Sequence, residues 1–432
     1  MKKISFYIEK LGAIRNSKIE LSPLMIFSGE SGLGKSYASF LIHYLYILLS
    51  QSKYNRFYIF FNDKGYDFKS ILENRNKQNG ELFTIRKNDI LRWINEDAIT
   101  YIGYLLGHNS LEGKVRIEIP IDDLTFYCDE DIMGLENSEE VFYKITLDHF
   151  IYRIPATGIE NLETVFNALL IAFLKNYIFD DYNSQLKTFL MPPSRGSLIE
   201  LNSRPTFSSG MYEEFFDNKE DLARPLKDGT YQMPKPLAQC ISQINAGNIL
   251  HKDGKIFYLT ENGDNMPITA AASSIKELAS LTMFFQKNSP KDTSILFEEP
   301  EAHLHPSKQV MVADLVGCSI GLGCHMQITT HSDYFLKRIN NLMLLFQLKK
   351  KNPHKFNELC FHFKIDESIV IDPANVSAYV LKKNEDGTTH IVSQKIEEEG
   401  IPYASFYDVI DQDLESSFLI KDAFRKEEKE EV

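Results

Sequence analysis

Gly29-Glu30-Ser31-Gly32-Leu33-Gly34-Lys35-Ser36 fits the pattern Gly-x4-Gly-Lys-Ser, and those residue types in that order suit one kind of chemistry. A phosphate chain carries several negative charges. Glycines let a loop close around it with backbone N–H groups inward, and a helix starting after the loop adds the positive end of its dipole. Lys35 would reach the β- and γ-phosphates, and the Ser36 hydroxyl would ligate Mg²⁺. Far downstream, Ser294-Ile295-Leu296-Phe297-Glu298-Glu299-Pro300 reads as a buried strand delivering two carboxylates at its C-terminal end, where parallel sheets bind ligands. Adjacent side chains on a strand point opposite ways, so the acids divide the work. Glu298 suits the water shell of a metal, and Glu299 suits polarising a water aimed at the γ-phosphate. His331 follows the apolar stretch Met326 to Thr329 at the same sheet edge, where an imidazole could hydrogen-bond the γ-phosphate or the attacking water. Ser273 and Ser274 stand at the start of a helical stretch, with Glu277 at capping-box spacing from Ser274; such a helix start offers unpaired amides to an anion.

These side chains can meet only if the elements carrying them are neighbours. Leu24 to Phe27 reads as the strand before the loop and Tyr37 to Leu49 as the helix after it. Ile4, Phe6 and Ile8 alternate as a strand, Ser17 to Leu21 forms another, and the two are expected to make a small antiparallel layer beside the nucleotide. From Lys255 onward regular structure resumes. Lys255 to Leu259 and Met266 to Thr269 flank Gly263 as a hairpin; Ile275 to Gln286, Ser307 to Val316 and Asp333 to Leu348 read as helices alternating with the strands Ser294 to Phe297 and Met326 to Thr329. Alternation of that kind implies a mostly parallel sheet. Val376 to Leu381 and His390 to Val392 flank Asp386-Gly387, another hairpin signal.

The middle of the chain is less legible. Asp89 to Leu106 and Asn161 to Ile178 carry helical patterns, Val115 to Phe126 alternates like a hairpin turning at Pro120 to Asp123, and Thr206 to Pro236 has the composition of a mobile loop. No heptad pattern persists long enough for a coiled-coil arm. The expected division is residues 1–50 and 255–345 as two parts of one nucleotide-binding head, 51–254 as an inserted α/β lobe offering a partner or effector surface, and 346–432 as an α/β extension with a charged tail.

Composition narrows the class. The chain has 432 residues, 43% hydrophobic and 25% charged, with 30 Phe and 21 Tyr against the single Trp93, which suits a globular protein with a large core. A net charge of -13 argues against a surface that grips nucleic acid everywhere, although a local basic groove is compatible with it. The five cysteines show no Cys-x2-Cys pair and read as reduced thiols rather than zinc ligands. The alternating N-terminus is unlike a signal peptide, and Phe40 to Leu49 is too short to span a bilayer; a cytoplasmic protein without membrane contact is expected.

Taken in chain order, the phosphate loop, the Ser-Ser helix start, the Glu-Glu strand end and the strand-end histidine resemble the Walker A, signature, Walker B and switch motifs of ABC-type ATPases. Glu298-Glu299-Pro300-Glu301-Ala302-His303-Leu304-His305-Pro306 resembles more narrowly the OLD and RecF-like branch of the SMC-related ATPases, many of which serve bacterial anti-phage systems such as Septu and PARIS. Gly12-Ala13-Ile14-Arg15-Asn16 and Met191-Pro192-Pro193-Ser194-Arg195 also resemble stretches of these proteins. The resemblance implies an α/β fold, an ABC-type P-loop ATPase head with a mixed sheet, an antiparallel β side layer and a large inserted lobe. It also implies ATP and Mg²⁺ as cofactors. Gly29 to Ser36, Tyr37 and Arg15 would bind the nucleotide, Ser36 and Glu298 the metal, and Lys35, Glu299 and His331 would be catalytic. Two copies, or a higher homo-oligomer, would close head to tail so that Ser273 and Ser274 of one face the nucleotide of the other, making a slow switch that controls a separate effector.

The chain departs from that pattern in three places. Ser274 and Ile275 stand where the signature usually has glycines, and Glu298 stands where many relatives have Asp. No C-terminal array of acids marks a fused Toprim nuclease; Asp411 and Asp413 form only an Asp-x-Asp in an amphipathic stretch. Two other readings compete: an ATP-gated DNA-binding clamp of RecF-like repair with little hydrolysis, and a P-loop kinase, for which no acceptor site is visible.

Overall fold

The computed structural model describes residues 2–50, 56–74, 80–133, 140–156, 162–180, 186–223, 231–252, 254–291, 293–396, 400–402 and 413–422. Asp411 and the charged tail over 423–432 lie outside the described residues. The chain opens with strands β1 (Ser5–Leu11), β2 (Ile14–Glu20) and β3 (Leu24–Ser28), then helices α1 (Lys35–Leu49), α2 (Phe57–Asp63) and α3 (Phe68–Glu73). Next come β4 (Glu81–Ile85), α4 (Lys87–Leu106), β5 (Gly113–Glu118), β6 (Leu124–Met133), β7 (Glu140–Leu147), β8 (Phe150–Pro155) and α5 (Leu162–Phe179). They are followed by β9 (Lys187–Met191), α6 (Arg195–Ile199), α7 (Gly210–Ala223), α8 (Lys235–Asn245), β10 (Gly247–Lys252), β11 (Lys255–Thr260) and β12 (Asn265–Pro267). The remainder is α9 (Ser273–Lys287), β13 (Thr293–Glu298), α10 (Pro306–Gly321), β14 (His325–Thr329), α11 (Asp333–Lys351), α12 (Pro353–Phe363), β15 (Val376–Lys383) and β16 (Thr389–Gln394).

A nine-stranded mixed sheet, in the order β5-β1-β2-β16-β15-β3-β14-β13-β9, organises the molecule. Its half from β15 to β9 is parallel, and its half from β5 to β2 is antiparallel, joined edgewise through β16. The sheet draws strands from every part of the sequence: β5 and β9 come from the middle of the chain, and the hairpin β15-β16 from near its end. β3 and β13 are buried at every position, as a strand covered on both faces must be. Alternation then sends Met25 and Phe27 of β3 into one core with α1, α4 and α5, and Leu24 and Ile26 into a second with α9, α10 and α11. By length and apolarity α5 could cross a membrane, yet its buried side chains pack against β7, β8, α1 and α2.

Two smaller sheets stand apart from the main one: β4-β6-β7-β8 and β10-β11-β12. The first packs on α5 around aromatic rings, with Phe68 stacked on Phe166 at 4.5 Å and Phe83 edge-on to it at 5.1 Å. Here two sequence expectations are corrected. Val115 to Phe126 is no hairpin: β5 pairs with β1 in the large sheet while β6 pairs with β4 and β7, so Pro120 to Asp123 is a crossing between sheets rather than a turn. A period of two marks a strand without naming its partner. Thr206 to Pro236 is not a loop throughout, because α7 occupies Gly210–Ala223 and buries Phe215 and Phe216. Its polar residues are split between solvent and interior: Glu220 and Asp221 are exposed, while Glu214, Asp217 and Lys219 are buried against Tyr101, Arg204 and the carbonyls of Leu198 and Leu201.

Candidate nucleotide site

The parallel strands end level with one another. Glu298 pairs with Thr329 and Thr329 with Phe27, so the segments after β3, β13 and β14 leave the sheet side by side. That register brings Gly29, Glu299 and His331 to one edge from opposite ends of the chain.

After β3 the backbone enters conformations that need glycine. Gly29 has φ 126°, and a Cβ there would stand 2.6 Å from the Leu381 carbonyl oxygen on β15. Gly34 has φ 98° and forms the N-cap of α1 without any side-chain cap, which leaves the first amides of the helix open to a ligand. Lys35 Nζ folds back onto the loop, donating to Gly29 O at 3.0 Å and Glu30 O at 2.9 Å. Burial lowers its pKa, and the charges of Glu299, Glu301 and Glu298 oppose that shift. The β1-β2 turn leans on the same loop: a Cβ at Gly12 would meet the Tyr37 ring at 2.9 Å, and one at Gly34 would meet Ile14 at 3.1 Å. Arg15 Nη1 donates to Gly12 O at 2.7 Å and Ile14 O at 2.8 Å, so in this state it braces its own turn.

The two acids at the end of β13 sit in different surroundings. Glu298 is buried and leaves Oε1 with no partner; burial pushes its pKa up to about 7, and the neighbouring Ser36 hydroxyl opposes that shift. Glu299 lies just past the strand at φ 46°, its amide donating to Thr329 O at 3.0 Å, and its side chain is 42% exposed. His331 Nε2 stands 3.9 Å from Glu299 Oε1. Burial and the Lys35 charge lower the imidazole pKa while Glu299 raises it, with a net shift towards the neutral form. Glu301 holds this histidine in place: its Oε1 accepts from the His331 backbone N–H at 2.5 Å.

These residues fit a magnesium ion that takes most of its ligands from phosphate and water. An unpartnered buried carboxylate oxygen lies beside a hydroxyl, and among the described residues no group of three or more His, Cys, Asp or Glu could hold a metal by itself.

Ser273 and Ser274 are the exception to the convergence. They begin α9, but no hydrogen bond or ion pair connects them to Lys35, Ser36 or Glu298 among the described residues. The expected capping box is absent: the N-cap is Ala272 with no side-chain cap, and the Glu277 carboxylate turns inward to Arg195 at 3.3 Å. Arg195 closes the Met191-Pro192-Pro193-Ser194-Arg195 stretch that carries part of the resemblance, but the sequence assigned it no role at this site. It has 0% exposure, and its guanidinium donates to the carbonyls of both Glu298 and Glu299. The one signal in the sequence is that stretch itself; the pairing of β9 with β13 is what puts its arginine at the edge where the acids lie.

No protein-family model matches the sequence, and no curated protein does. Solved structures similar to the chain are heads of Smc proteins. The SmcHead bound to the C-winged helix domain of ScpA is 15% identical over 92% of this chain and 98% of that one, with a TM-score of 0.37. The SMC head domain from Thermotoga maritima is 9% identical over 92% and 100%, with a TM-score of 0.34. The Smc head domain with an extended coiled coil bound to the C-terminal domain of ScpA, from Pyrococcus furiosus, is 13% identical over 94% and 98%, with a TM-score of 0.36. At such scores the likeness adds nothing to what the geometry of the site says.

Proposed function

We propose that the chain is a Mg²⁺-dependent ATPase head of the ABC type, and that ATP-driven pairing of two copies makes it a switch. The observation that carries this reading is the convergence itself: Ser36 beside Glu298, His331 3.9 Å from Glu299, and Lys35 within the field of all three acids. A purely structural acidic turn has no reason to gather beside a Gly-x4-Gly-Lys-Ser loop.

Each side chain then has a task. Lys35 exchanges its two loop carbonyls for phosphate oxygens, and the open start of α1 receives the phosphate chain. Ser36 and Glu298 would hold Mg²⁺, which when bound neutralises charge on the β- and γ-phosphates. Glu299, the exposed acid, takes the proton of the attacking water, and neutral His331 orients that water or the γ-phosphate. Ser273 and Ser274 of one copy would meet the γ-phosphate held by the other, so that ATP favours the closed pair and hydrolysis releases it. The resemblance of the Glu298 to Pro306 stretch supports a cytoplasmic sensor or scaffold in anti-phage defence that acts on a separate effector. The test is sedimentation of wild type and Glu299→Gln with ATP and Mg²⁺. The variant should accumulate as dimer or larger; an unchanged sedimentation coefficient in both proteins would remove the switch.

A further inference from the structure

A guanidinium with no exposure needs partners for its whole fork, and Arg195 finds them on three separate stretches. Nη1 donates to Glu298 O at 2.7 Å and Pro192 O at 3.1 Å, Nη2 to Glu299 O at 3.1 Å, and Nε to Glu277 O at 3.1 Å. The Glu277 carboxylate lies 3.3 Å from Nε, and the ring of Phe297 lies 4.8 Å from the guanidinium carbon. Gly196 leaves the space that Glu277 fills, since a Cβ there would stand 2.4 Å from Glu277 Oε1. A second tie, Lys276 to Glu200 at 2.6 Å, fastens the same turn of α9 to the end of α6. One bracket therefore joins the first turn of α9 to the carbonyls of both acids on the nucleotide edge. It holds Glu299 at φ 46°, a conformation that a non-glycine residue keeps only when its neighbours fix it.

We propose that Arg195 is a positioning residue that relays the state of the α9 start to Glu299, so that turnover in a subunit is licensed when its own Ser273-Ser274 helix start engages the triphosphate of a second copy. This rests on the paired-head reading above. The step is mechanical: a shift of α9 carries Glu277, Glu277 carries Arg195, and Arg195 carries the carbonyl that sets the Glu299 side chain. A displacement near 1 Å at a reacting group can cost about a hundredfold in rate, so a small movement suffices. It also explains why Glu277 points inward instead of capping its own helix.

The test uses the full chain, with Glu277→Gln as the main variant because it preserves shape and the carbonyl bond while removing the ionic tie. Turnover is measured against ATP and against protein concentration, together with ATP-dependent sedimentation and melting temperature. Glu277→Gln should keep KM and the ATP-dependent dimer fraction within about twofold while kcat falls about ten- to a hundredfold, and its specific activity should stay flat over concentrations where wild type accelerates. Arg195→Lys, which keeps the charge and loses the fork, should show the same split, and it carries the test if Glu277→Gln does not fold. A kcat within twofold of wild type in the variants, with the concentration response intact, overturns the relay and leaves the ATPase reading standing. So does a parallel collapse of kcat, KM and melting temperature, which marks a merely structural arginine. A wild type that hydrolyses ATP with no dependence on its own concentration overturns the paired-head reading and the relay with it.

Discussion

The phosphate loop and the Arg195 bracket lie at the same sheet edge and are built in opposite ways. The loop is eight consecutive residues, Gly29 to Ser36, whose shape is decided by its glycines and whose positive charge comes from one lysine that is already inside it. The bracket joins residues 82 and 103 positions apart, and no part of it has meaning until β9 pairs with β13 and α9 packs on α6. Chemistry can therefore be written locally, while the placement of the chemistry is assembled from the whole fold.

Substitutions can break that contrast, beginning with the largest effect. Arg195→Ala should cost about 3–5 kcal/mol in urea denaturation, because it strands the buried Glu277 carboxylate and removes the donors to four carbonyls; Lys35→Ala should cost about 1 kcal/mol or less yet lower affinity for a fluorescent ATP analogue at least about a hundredfold. Equal stability losses in the two would erase the distinction. Glu299→Gln should keep nucleotide affinity and lose about 10²- to 10⁴-fold in single-turnover hydrolysis, as removal of a general base does.

The pH dependence of Glu298 comes next. Its folded pKa is about 7 against 4.5 for the free group, so the folded state carries no penalty below pH 4.5, gains one between pH 4.5 and 7, and bears the full cost above. Glu298→Gln should thus stabilise the nucleotide-free chain by about 3 kcal/mol at pH 8 and by little at pH 4.5. Mg²⁺-dependent ATP binding by wild type should weaken as pH falls below 7, which calorimetry in buffers of different ionisation enthalpy would show as proton release. Smallest is a contrast within the loop. Gly29→Ala, pressed against Leu381 O, should cost about 2–3 kcal/mol, and Gly32→Ala, at φ 80° with nothing within 4 Å, about 1 kcal/mol. Similar losses would mean that backbone conformation alone, not the approach of β15, sets the loop.

Legibility in the sequence followed the range of the interactions. The strand before the loop, the helix after it, the Glu-Glu strand, the strand ending before His331 and the hairpin at Asp386-Gly387 were all readable, since each is announced by short-range periodicity and turn residues. Val115 to Phe126 failed because alternation says nothing about pairing, and α7 because a polar amphipathic helix has loop-like composition. Glu277 failed for a related reason: a capping-box spacing describes what a glutamate can do locally, and a buried arginine 82 residues away offered a stronger partner.

The order of residues alone determined which chemistry is available here: a loop that must be glycine-rich to wrap an anion, a lysine and a hydroxyl beside it, and acids at the end of a strand too apolar to be exposed. Only the tertiary structure decided that these residues meet at one edge of the sheet. The level register of β3, β14 and β13 places Ser36 against Glu298 and His331 near Glu299, and the folded core gives Glu298 its raised pKa and Arg195 its dry enclosure. Distances and desolvation between segments hundreds of residues apart are properties of packing, and local sequence does not encode them.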